Sequence, residues 1–138
     1  MVLSKPISVQ LTQISPTKDQ IAQLMSYPQD IPVVMTNIIK FKAITGNGNE
    51  TGQEAYMRYF KSVQHLVAKA EAKVIWKGTV AMTVIGDSND TPHMIILVEY
   101  PTVQHFLNMI TNPEYQKITI DRSIALEYGG LIACKTQE

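Results

Sequence analysis

The sequence predicts an α+β domain in which an antiparallel four-stranded sheet carries its helices on one face. Four segments with the alternation or the β-branched, apolar composition of strands begin near Pro32, Lys73, His93 and Leu131. Two segments with apolar residues three and four apart, one after the first strand and one after the third, read as amphipathic helices. The resulting order is strand, helix, strand, strand, helix, strand, which is the split βαβ or ferredoxin-like arrangement, βαββαβ.

Ahead of that unit, Ile7, Val9 and Leu11 alternate with polar residues as a short strand would. Ser15-Pro16 then opens a brief helix with Ile21, Leu24 and Met25 on one side, and Tyr27-Pro28 closes it. Residues 1–31 are therefore expected to be an N-terminal strand and helix extension packed on a core domain of residues 32–138. In the first core strand, Pro32 to Lys42, the residues Val33, Met35, Ile39 and Phe41 point one way, and Asn37 joins their row. An amide in an apolar row needs hydrogen-bond partners.

The loop TGNGNETG leads into a helix expected from Gln53 to Ala72, on which Tyr56, Tyr59, Phe60, Val63, Leu66, Val67 and Ala70 repeat through four turns. Lys73 to Ile85 reads as the second strand, with Val74, Trp76, Val80, Met82 and Val84 on one face and a bulge or bend at Gly78. The turn GDSNDTP returns the chain into a strand from His93 to Tyr100, whose run Met94 to Val98 is apolar on both faces. Pro101 ends it, and Thr102 caps a helix bearing Val103, Phe106, Leu107 and Ile110. Asn112-Pro113 restarts that helix in a new direction, with Tyr115, Ile118 and Arg122 on one stripe. Gly129-Gly130 enters the last strand, Leu131 to Lys135.

A chain of 138 residues, 45% hydrophobic, buries one ordinary core. Twelve basic residues balance twelve acidic ones with no basic run, which argues against nucleic acid or an anionic membrane as partner. Cys134 is the only cysteine and is expected to be a small buried hydrophobe, so no internal disulfide is possible. The first residues, MVLSKPISVQL, have neither a signal-peptide core nor a membrane span, and a cytoplasmic protein is the default expectation. One sheet face is left bare by two helices on the other. Because the first and third strands are apolar on both sides, a second copy pressed sheet to sheet is the expected cover, with a cavity enclosed between the sheets.

Two constellations are candidates for ligand binding. Glu99 shares a strand face with Ile95 and Leu97, and Arg122 lies on the inward stripe of its helix, so the two form either a polar anchor for a ligand or an ion pair fixing helix to sheet. Asn37 and Trp76 supply an amide to orient a carbonyl or phenol and an aromatic wall to stack it, or else a satisfied core amide and an interface aromatic. His93, at the mouth of the third strand, is a candidate general base, and Tyr115 a candidate lining residue. His65 and His105 fall off their helix stripes. The three histidines are scattered, so no metal site is legible. The glycines at 46, 48 and 52 miss the dinucleotide spacing, and no nucleophile elbow occurs.

The segments PVVMTNIIKFK and EAYMRY, the strand ending VEYP, and NPEYQ with Arg122 seven residues after Tyr115 resemble the thirteen-thirty family of domains of unknown function, over roughly Pro32 to Ala133. The resemblance implies a dimeric α/β barrel and carries no agreed activity. Barrels of this kind include cofactor-free monooxygenases acting on polyketide phenols, small lactone isomerases and haem-binding proteins. Relatives often have a glycine pair where this chain has Ala70-Glu71-Ala72-Lys73, and Trp-Asp where it has Pro92-His93. The expectation is a homodimer binding a small molecule without a cofactor, with isomerase or monooxygenase chemistry on a compact carbonyl or phenolic substrate as the implied reaction. The alternative is a non-catalytic dimerisation or ligand-sensing module. A haem barrel ranks behind both, since no axial ligand can be nominated.

Overall fold

The structure is a computed structural model and describes residues 15–46 and 48–138; the expected strand at Ile7 to Leu11 lies outside them. Helix α1 (Lys18–Met25) opens with a reciprocal cap, in which Thr17 Oγ1 accepts from the Gln20 amide and Gln20 Oε1 accepts from the Thr17 amide. Its Ile21 and Leu24, with Tyr27 beyond it, pack against the core, and the Tyr27 hydroxyl donates to the Pro32 carbonyl at 2.8 Å.

Strands β1 (Val33–Phe41), β2 (Lys73–Thr79), β3 (Met94–Tyr100) and β4 (Leu126–Cys134) form one antiparallel sheet in the order β2-β3-β1-β4. Helix α2 (Gly52–Lys69) crosses from β1 to β2, and α3 (Val103–Ile110) and α4 (Pro113–Ala125) cross from β3 to β4. Helix α2 starts on the same kind of cap as α1, Thr51 with Glu54, and ends at Ala70 before Glu71 turns through φ 57°. Gly52 is jammed between chain segments there: a Cβ would stand 2.3 Å from the Lys42 carbonyl oxygen and 2.4 Å from that of Ala125.

Period-two alternation assigns the sheet faces. Val33, Met35 and Ile39 of β1 and Ile96, Val98 and Tyr100 of β3 are buried under the helices with Tyr56, Val63, Leu66, Val103 and Phe106. Opposite them, on the face without helices, lie Val34, Thr36 and Ile38 of β1, paired with Glu99, Leu97 and Ile95 of β3. Helices α2 and α4 are tied across their tops by Arg58, which bonds Glu50 and Asp121, and by His65 to Glu114.

Two strands and one side chain differ from the sequence-based expectation. Strand β2 stops at Thr79 rather than Ile85, and the residues beyond it form an arm. Its irregularity falls between Val74 and Trp76, not at Gly78. The extra residue puts Val74 opposite Val98 and Trp76 opposite Leu97, so these two side chains sit on opposite faces instead of one. Gly78 has a different use: a Cβ there would lie 2.2 Å from the Trp76 ring, which covers it. Strand β4 begins at Leu126, directly after α4, and contains Gly129 and Gly130 rather than following them. Cys134 is exposed, not buried, beside Thr36 on the face without helices.

Candidate functional site

Helix α4 owes its direction to Asn112, whose side chain accepts from the Glu114 amide, and to Pro113 in its first turn. The inward stripe this creates carries Tyr115 and Arg122 into a cleft between the helices and the sheet. Arg122 is 8% exposed, and its Nη2 donates to the Gly129 carbonyl at 3.1 Å. Tyr59, from α2, meets Tyr115 hydroxyl to hydroxyl at 3.2 Å with the rings edge to face. Asn37 lies in the floor of the cleft, its Nδ2 donating to the carbonyls of Ile96 at 3.3 Å and Met35 at 3.4 Å. Tyr100 and Leu131 complete the lining.

Burial raises the ionisation of Tyr56, Tyr59 and Tyr100 above the ordinary tyrosine range; the Arg122 guanidinium pulls Tyr56 and Tyr59 back by a smaller amount. The Tyr59 phenol therefore keeps its proton at neutral pH. In a bond between two hydroxyls one donates, and the accepting phenol still has an O–H to give. A guanidinium and a pair of linked phenols thus line one cleft as donors to an oxygen acceptor, while the Asn37 Nδ2 is committed to the Ile96 and Met35 carbonyls.

Asn37, Tyr115 and Arg122 are brought together, whereas Glu99, Trp76 and His93 are not. Glu99 pairs across the sheet with Val34 and Lys73 on the face without helices, so the sheet separates it from Arg122. Trp76 lies on that same face, on edge strand β2 and one strand removed from β1, so it cannot stack a ligand held by Asn37. His93 is spent on structure. Its Nδ1 accepts from the Phe41 amide at 2.9 Å, at the bulge where β1 loses register with β4, and its ring stacks on Phe41. The cavity that Asn37, Tyr115 and Arg122 line is open and extends past them to Ile38, Ile95 and Ile132 of the face without helices and to residues 82–87 beyond β2.

Tyr59 and Tyr100 also line the cleft, although their places, in the apolar repeat of α2 and at the end of β3, mark them in the sequence only as core. The available signal was chemical: a buried tyrosine keeps a polar hydroxyl that must find a partner, and two of them a turn apart on α2 face the Tyr115 stripe. Among the described residues no three His, Cys, Asp or Glu side chains gather as a metal site, and no helix is long and apolar enough to cross a membrane.

Fold and cleft together define a ferredoxin-like α+β domain with a phenol- and guanidinium-lined pocket beneath its helices. The chain belongs to the family described as Domain of unknown function (DUF1330), whose model matches residues 44–133. It is similar to a crystallised protein of unknown function from Rhodopseudomonas palustris, at 28% identity over 91% of this chain and 97% of that one, with a TM-score of 0.85. It shares its fold with the hydroxynitrile lyase of Passiflora edulis (16% identity, 79% of this chain and 96% of that one, TM-score 0.60). A dimeric protein of unknown function and ferredoxin-like fold from Bacteroides fragilis also shares it (12% identity, 76% and 96% covered, TM-score 0.53). No curated protein matches.

Proposed function

We propose that the protein is a homodimer whose subunits each bind a compact small molecule through a carbonyl or phenolate oxygen, held by Arg122 and Tyr115 in the cleft that Asn37 floors. The observation that carries this reading is the convergence of hydrogen-bond donors: the Tyr59–Tyr115 hydroxyl pair and the buried Arg122 line one cavity. Donors of this kind favour an acceptor that carries or develops negative charge. Proton abstraction next to a carbonyl, as an isomerase needs, is poorly served. Glu99 and His93 lie elsewhere, and the carboxylates the cavity does reach, Asp87 and Asp90, belong to the segment after β2, where Asp90 is bound to Lys40. Binding with stabilisation of a phenolate suits the geometry better, as a ligand sensor or a cofactor-independent monooxygenase of phenols would use it. The homodimer is supported by the apolar side chains of the face without helices, where Trp76 and Ile132 are half exposed, and by the dimeric Bacteroides fragilis protein of the same fold.

Titration with para-nitrophenol tests the reading, because its phenolate absorbs in the visible. Binding is expected to lower the probe's ionisation by about one pH unit, the scale of a single charge-assisted bond. Tyr115→Phe should weaken binding roughly tenfold, the scale of one lost hydrogen bond. A probe that binds as the neutral phenol, or equally well to Tyr115→Phe, would remove the oxyanion reading; failure of any small aromatic to bind would remove the pocket.

A further inference from the structure

Residues 80–92, between β2 and β3, are built as an arm rather than a simple turn. The Val80 amide donates to the His93 carbonyl at 2.9 Å, and the hydroxyls of Thr83 and Thr91 meet at 2.5 Å. The Asp90 carboxylate accepts from Lys40 Nζ at 3.2 Å and from the Tyr128 hydroxyl. Lys40 and Tyr128 are opposed across β1 and β4 on the face without helices, so the arm is anchored to that face.

Its tip is greasy and in water. Met82 is 70%, Val84 85% and Ile85 94% exposed, although the base that carries them is pinned. The sheet face beside the arm shows Trp76 and Ile132, with Ile38, Ile95 and Leu97 between them. An anchored arm ending in three exposed apolar side chains, next to an apolar sheet face, is the form of half an interface.

We propose that this arm is a clasp for a second copy of the chain, with Met82, Val84 and Ile85 seated on the partner's sheet face. The inference rests on the homodimer reading above and says which segment holds the dimer. Area supports it: four strands of seven to nine residues make a face of roughly 500 Å², short of the ~800 Å² per partner of a standard interface, and the arm supplies the remainder. Charge favours a protein partner over an anionic bilayer. No lysine or arginine lies between Thr79 and Pro92, while Asp87 and Asp90 do.

Sedimentation velocity over a dilution series tests the clasp on the full chain and on the combined variant Met82→Ser, Val84→Ser, Ile85→Ser. The dimer dissociation constant is expected to rise at least 100-fold in the variant, with the circular dichroism spectrum unchanged because all three residues are exposed. Ile132→Glu serves as the probe of the sheet face and should also break the dimer. A wild-type dimer that the triple variant leaves intact while Ile132→Glu dissociates it overturns the clasp and keeps the sheet-face dimer. A wild-type monomer overturns both, and a monomer that co-sediments with phosphatidylcholine vesicles through the same three residues assigns the arm to membranes instead.

Discussion

The Arg122 guanidinium reaches the Gly129 carbonyl at 3.1 Å because position 129 has no side chain to stand in its way. Helix α4 runs into β4 without a loop, so the two residues, seven apart, face one another across the junction. A cation from the helix is thereby placed against the strand that walls the cleft.

Gly129→Ala is accordingly expected to disturb the cleft and the fold together. A Cβ there would lie 2.6 Å from Arg122 Nη2 and 2.7 Å from Leu126 Cδ1, and both neighbours are buried. Overpacking of this kind costs about 1–3 kcal/mol, readable as a lower urea midpoint, with para-nitrophenol affinity falling as Arg122 is displaced. Unchanged stability and affinity would show that Arg122 does not depend on the gap.

Gly52→Ala should be worse, at ~3 kcal/mol or more, since its Cβ meets backbone atoms of Lys42 and Ala125 that cannot rotate away. Gly46→Ala, with nothing within 4 Å, is the matched control and should stay within about 0.5 kcal/mol of the parent. Equal effects of the two substitutions would contradict the close packing of α2 against the ends of β1 and α4.

His93→Ala removes the acceptor of the Phe41 amide and the ring stacked on Phe41. Leaving that amide without its partner should cost about 1–3 kcal/mol. The specific readout is faster hydrogen exchange of the Phe41 amide, while para-nitrophenol binding persists. Loss of binding with normal stability would instead return His93 to the site.

Alkaline pH should unfold the protein through its tyrosines. Burial raises Tyr56, Tyr59 and Tyr100, and Tyr128 is pushed up to about 12 by burial and then by Asp90. Each folded group holds its proton where the unfolded chain, near pH 10, has begun to lose it. Stability is thus whole below about pH 10 and falls as pH rises toward 12, because there the native state binds more protons than the unfolded one. Urea titrations between neutral and alkaline pH, with ultraviolet detection of phenolate, would show it. A midpoint independent of pH across that window would contradict the burial of these phenols.

The elements were written in the chain itself. The apolar period of α2, the Asn112-Pro113 restart and the strand run from Met94 are local signals, and local chemistry produces them: caps satisfy orphan amides, proline fixes φ, and alternation separates two faces. Asn37, Tyr115 and Arg122 were legible for the same reason, as polar groups on rows that are otherwise apolar. Which face those rows turn to was decided only by packing. Alternation says that Glu99 shares a side with Leu97, but not whether that side lies under the helices, and the helices cover the side of Ile96 and Val98. A single bulged residue before Trp76, invisible to a count of twos, moved the indole away from Val74's face. His93 likewise has no local sign of its partner, because the Phe41 amide it satisfies is orphaned by a bulge 52 residues earlier in the chain.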